Sequence, residues 1–237
     1  MELFLFIFDN KIKYMELYKP TLELIVSTIE ARMVNGLKGL LDNVSYTWSQ
    51  IESDVHITRN AIIKQLMDRG LIDLNQVIQN VNCIPIECAD IAECCDINVE
   101  NALRIKIPKL AFMTSKSIVY LGTVDKKTQF KTVFGNEHIY NKYSPTKNSP
   151  YVWFSDYETG WLFNPPTKNI QLLSIRAIFA NPYDVNQFNC CELKYDDSYP
   201  APDDIIKQII DTLVNQYVND YRRLRMNYLP NNGQSTV

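Results

Sequence analysis

The chain is poor in the residues from which most catalytic and cofactor sites are built. It has 7 glycines in 237 residues, little material for the loops whose backbone N–H groups cradle phosphate, and no such loop occurs. It has 2 histidines, His56 and His138. The first falls on a helix face and the second beside a predicted turn, and neither accompanies the nucleophile signature that a hydrolase needs. Long apolar runs are scarce. Leu3 to Phe8 is strongly apolar but short, follows Glu2 in place of a cationic region and lacks a small-residue cleavage site, so it reads as neither an export signal nor a membrane span. A cationic excess is missing too: the formal charge is -3, which argues against a protein that works by neutralising phosphates. Internal repeats and Gly/Ser linkers do not occur, which favours a compact insertion over a tethered domain.

What the chain does have is an informative order. From Pro20 to about Leu41, Leu22, Ile25, Ile29, Met33, Leu37 and Leu40 recur at helical spacing, with Pro20 at the first helical position and Gly36 and Gly39 weakening the last turns. Asp54 is the expected cap of a second helix carrying Ile57, Ala61, Ile62, Leu66 and Met67, with Gly70 as its left-handed end and Trp48 and Ile51 in a separate turn. Asn75 to Asn80 reads as a short helix and Val81 to Cys88 as a strand interrupted by Pro85. Strands are predicted at 104–107, 117–123, 131–134, 151–155, 161–163, 170–179 and 192–194, separated by turn residues such as Asp125, Gly135 and Asn181. Pro202 opens a last helix with Asp203 and Asp204 at its positive end, a stripe of Ile206, Ile209, Ile210, Leu213, Tyr217 and Tyr221, and Arg222, Arg223 and Arg225 at its negative end.

The fold class read from this order is α+β: a helical bundle, of two N-terminal helices and one C-terminal helix, with an inserted, mainly antiparallel β domain and an extended C-terminal tail. Residues 1–14 are an apolar extension ahead of Met15, read as either an upstream extension from gene calling or, if ordered, a docking arm or strand, because exposed Phe, Leu and Ile would otherwise promote aggregation. The bundle is expected over 15–80 and 199–226, the β insertion over 81–198 and the tail over 227–237. Its core is expected to hold Ile25, Ile29, Met33, Ile62, Leu66, Ile206, Ile210, Leu213 and Tyr217.

Each group that could carry chemistry also has a plainer use. The 6 cysteines, Cys83, Cys88, Cys94, Cys95, Cys190 and Cys191, are badly spaced for zinc, because adjacent cysteines on extended chain point apart. Reduced, small core side chains are the alternative. Asp203-Asp204 and Asp196-Asp197 suit a helix cap and a solvated turn as well as a metal or an acid catalyst. Tyr151, Trp153, Phe154, Tyr157, Trp161 and Phe163 could stack bases, but no cations are interleaved with them, so strand-face packing is the expected use.

Five segments, taken in order, carry a family likeness. Ser53 to Leu66, Asn82 to Cys95, Lys106-Ile-Pro-Lys109, Ile178-Phe-Ala-Asn-Pro-Tyr183 and Tyr199-Pro-Ala-Pro-Asp-Asp-Ile-Ile206 resemble the head-to-tail ring (adaptor) proteins of crAss-like short-tailed bacteriophages, over about residues 15 to 230. The resemblance implies a helical bundle with a β insertion, assembled as a twelve-fold ring beneath the portal. It implies a structural virion protein that joins portal to tail, continues the DNA channel and completes the head after packaging. Expected partners are further copies of the chain, the portal, other ring or tail proteins, and DNA passing through without specific binding. Assembly would take place in the host bacterial cytoplasm, with no membrane and no cofactor. A C-terminal portal-docking element would use Arg222, Arg223, Arg225, Tyr228, Leu229 and Pro230. The competing readings are a cysteine-dependent or nucleic-acid-processing phage enzyme and a host-modifying module carried in the head.

Overall fold

A threonine hydroxyl begins each of the first two helices in the computed structural model, which describes residues 20–36, 46–88, 103–135, 149–166, 170–188 and 198–228. Helix α1 (Leu22–Gly36) is capped by Thr21, whose Oγ1 accepts the Leu24 N–H at 3.2 Å, so Pro20 lies outside the helix and not at its first position. Helix α2 (Trp48–Asp68) is capped by Thr47, whose Oγ1 accepts the Gln50 N–H at 3.3 Å. The expected cap, Asp54, is instead nearly two turns inside, and Trp48 and Ile51 belong to the helix. Helix α2 closes as anticipated at Gly70, with φ +69° and the Leu71 N–H donating to the Leu66 carbonyl at 2.9 Å. Helix α3 (Asp203–Tyr228) follows Pro202, whose carbonyl accepts the Ile206 N–H at 3.0 Å. It runs to Tyr228, so Asn227 and Tyr228 are helical and not part of a tail.

The chain divides into two compact units, one of Met1–Ile62 with Tyr195–Val237 and one of Ile63–Lys194. In the first, α1 and α3 pack together and run parallel, as the Arg32–Asp211 ion pair at 2.8 Å and the approach of Val218 to Gly36 show. The N-terminal part of α2 runs antiparallel to α3: Asp54 meets Tyr217 at 2.6 Å, while Arg59, later in α2, meets Pro200 ahead of α3. Leu22, Ile25, Val26, Ile29 and Met33 of α1 are buried, as are Ile51 and Val55 of α2 and Ile205, Ile206, Ile209, Leu213 and Tyr217 of α3.

The second unit is one mainly antiparallel sheet of seven strands: β1 (Gln79–Cys88), β2 (Leu103–Lys106), β3 (Ile118–Thr123), β4 (Lys131–Phe134), β5 (Tyr151–Phe154), β6 (Thr159–Phe163) and β7 (Leu172–Ala177). Its order is β3-β7-β1-β2-β6-β5-β4, with only β4 and β5 parallel. A register shift between Val81 and Ile84 lets β1 pair with β7 along its first part and with β2 along its end. Across the turn that joins β3 to β4, the Phe130 N–H donates to the Leu121 carbonyl at 2.8 Å and Gly122 bridges Gln129. The two end strands of the sheet are therefore linked, and it curls around a core that includes Ile84, Ile105, Phe130, Phe154, Leu162, Ile175 and Phe179. At Gly122 a Cβ would overlap the Thr128 carbonyl oxygen.

Two local expectations change. The short helix expected over 75–80 is confined to a 3-10 helix at Leu74–Gln76, capped by Asp73, and Gln79 and Asn80 are drawn into pairing with Ala177 and Arg176. Pro85 does not interrupt β1, because the Ile86 N–H finds the Gln171 carbonyl at 3.0 Å and the ladder continues. The strand predicted at 192–194 lies outside the described residues.

Candidate functional site

Helix α2 repeats every four residues through Ile51, Val55, Arg59, Ile63 and Met67, and all five are buried. An arginine in such a series must bring its partners into the interior with it. Arg59, 0% exposed, directs Nε and Nη2 to one acceptor, the Pro200 carbonyl, at 3.1 and 3.0 Å. Its Nη1 donates to Asn60 Oδ1 at 3.0 Å, and the guanidinium carbon lies 5.8 Å from the centre of the Tyr199 ring. Two donors of a planar fork on one carbonyl fix the backbone in a way that a lysine ammonium cannot reproduce. Burial pulls the Arg59 pKa downward, opposed by Tyr199.

Tyr199 completes the clasp. Its hydroxyl and His56 Nδ1 are 2.8 Å apart, its N–H donates to the Pro20 carbonyl at 3.0 Å, and its own carbonyl accepts the Ala201 N–H at 2.8 Å. The turn Tyr199-Pro-Ala-Pro, which launches α3, is thereby tied to α2 by side chains and to the start of α1 by the main chain. Burial, and after it the charge on Arg59, lowers the His56 pKa to about 4. The imidazole is neutral at pH 7 and buried, which suits it to holding a turn.

Further along the bundle the Tyr217 hydroxyl donates to Asp54 Oδ2 at 2.6 Å, and the Tyr46 ring centre lies 4.3 Å from that of Tyr217. Burial, then the bond to Asp54 and its charge, push the Tyr217 phenol well above the ordinary tyrosine range. It remains a donor at every physiological pH. Asp54, inside α2, is thus taken up by a tertiary bond, and the helix cap is Thr47.

A corresponding junction exists within the β unit. The Ala180 N–H donates to the Lys109 carbonyl at 2.7 Å and the Ala111 N–H to the Ile178 carbonyl at 2.9 Å, around a bridge between Leu110 and Phe179. Asn181 Oδ1 accepts the Tyr183 N–H at 3.0 Å, its Nδ2 donates to Asp184 Oδ1 at 3.0 Å, and Gln79 Nε2 donates to the Pro182 carbonyl at 2.9 Å. Burial, reinforced by Glu158 and opposed by Lys109, raises the Asp184 pKa. Four of the five segments singled out in the sequence therefore meet in pairs: Ser53–Leu66 with Tyr199–Ile206, and Lys106–Lys109 with Ile178–Tyr183.

Of the nine core candidates, Ile25, Ile29, Met33, Ile206, Leu213 and Tyr217 are buried, whereas Ile62, Leu66 and Ile210 are half-buried. Ile63, Met67 and Ile209 are the buried neighbours, because the inward face of α2 follows the series containing Arg59. Ile57, placed on the apolar face by sequence, is 63% exposed. Arg222 and Arg223 are exposed near the end of α3. The side chains of Arg225 and Tyr228, and the whole of Leu229 and Pro230, lie outside the described residues, as do Cys94, Cys95, Cys190, Cys191, His138 and Asp196-Asp197. Cys83 is half-buried and Cys88 exposed. Most of the aromatics lie on strands: Phe154, Trp161 and Phe163 are buried, and the Tyr151 and Phe163 rings stack at 4.8 Å, whereas Tyr157, between β5 and β6, is 45% exposed.

Among the described residues no group of three or more His, Cys, Asp or Glu is placed to hold a metal, and no helix is long and apolar enough to cross a membrane. Of the buried polar side chains, His56, Arg59 and Ser117 fix helix ends and turns, while Ser174 donates to Asn82 Oδ1 at 3.0 Å between the paired strands β7 and β1. Sequence reading missed Arg59; the signal was present, since only the i, i+4 series through Arg59 contains Ile51, Val55, Ile63 and Met67. No curated protein matches the chain. The family described as phage tail ring protein 2, a crAss-type ring family, matches residues 31–230, which takes in both units. With most of its length matched, the chain belongs to this family of phage tail ring proteins.

Proposed function

We propose that the chain is a non-catalytic structural subunit of a twelve-fold ring that joins the portal to the tail, continues the DNA channel and completes the head after packaging. Membership of a tail ring family across 31–230 carries this reading. A ring under internal pressure needs subunits of fixed shape, and the Arg59–Tyr199 clasp, which ties three helices through one turn, supports that requirement. The β insertion, expected at 81–198, reaches the next layer of the assembly. Partners are further copies of the chain, the portal, other ring or tail proteins, and DNA that passes without being gripped. Assembly takes place in the host bacterial cytoplasm and the product resides in the virion.

Docking on the portal falls to the end of α3 and the residues beyond it. Arg222 and Arg223 are exposed there, and with Arg225 they meet acidic portal groups while Tyr228, Leu229 and Pro230 anchor the chain in a pocket. A few such anchors dominate the energy of a short docking segment. A chain ending at Met226 is therefore expected to keep the full-length melting temperature within a few degrees and to fail in co-sedimentation with portal complexes. Unchanged co-sedimentation would place the portal contact elsewhere on the subunit.

A further inference from the structure

We draw no further inference here: the strongest candidate, the polar face of β3, β7 and β1 on which half-buried Arg176 stands in register between Tyr120 and Asn80, carries nothing because nothing in the structure shows what covers it.

Discussion

Arg59 is the side chain on which the helical unit most depends, because a buried guanidinium holds its position only while its acceptors hold theirs. Arg59→Met keeps most of the stem and removes the fork, leaving the Pro200 carbonyl without its two side-chain donors. The expected cost is about 2–4 kcal/mol in urea denaturation; a loss below about 1 kcal/mol would show that the turn is held by its main-chain bonds alone. His56 gives the clasp a pH signature. Its folded pKa of about 4 lies below the ordinary 6.5, so between these values the unfolded chain binds a proton that the folded chain refuses. Stability from this group is intact above pH 6.5 and declines as pH falls towards 4, by about 3 kcal/mol in total at about 1.4 kcal/mol per pH unit. His56→Gln should flatten the dependence of the urea midpoint on pH across that window, and an unchanged slope would assign the acid sensitivity to other groups.

At the scale of elements, the register of each helix decides which apolar residue matters. Leu213 is 1% exposed whereas Ile210, one turn earlier on the same helix, is half-buried. Leu213→Asp is expected to leave no soluble folded protein, since an unpaired carboxylate would enter the α1–α3 contact. Ile210→Asp can turn its charge towards water and is expected to cost about 1–2 kcal/mol, read as a lower melting temperature. Equal effects of the two would mean that the helix is rotated from the orientation described. Helix α2 was harder to read because its inward series contains an arginine: a residue-type pattern takes Arg59 as outward and Ile57 as inward, and the tertiary fold reverses both.

For the molecule as a whole, weak acidity bears on the proposed passage of DNA through a ring of these subunits. A formal charge of -3 over a subunit that surrounds DNA would let the duplex slide without a sequence of strong phosphate contacts to break. Fluorescence anisotropy with a short duplex at physiological salt should therefore show binding weaker than about 10⁻⁴ M, beyond the usual range of non-specific DNA binders. Tight, salt-sensitive binding would instead favour a nucleic-acid-processing role. Both units contribute to the family match, which spans residues 31–230.

The sequence by itself determined the element order, the α+β class and most strand positions, because turn residues and β-branched runs act locally: β4 was read at its full extent, 131–134, and β5 to within one residue. It also determined the family, through five short segments that no single motif explains. Only the tertiary structure decided how those segments meet, which of two adjacent residues on α2 turns inward, and that Asp54 bonds Tyr217 while Thr47 caps the helix. These are choices between side chains of similar local fitness. They are settled by whether a buried polar group finds its partner some 140 or 160 residues away in the chain, as His56 finds Tyr199 and Asp54 finds Tyr217, and no local pattern contains that information.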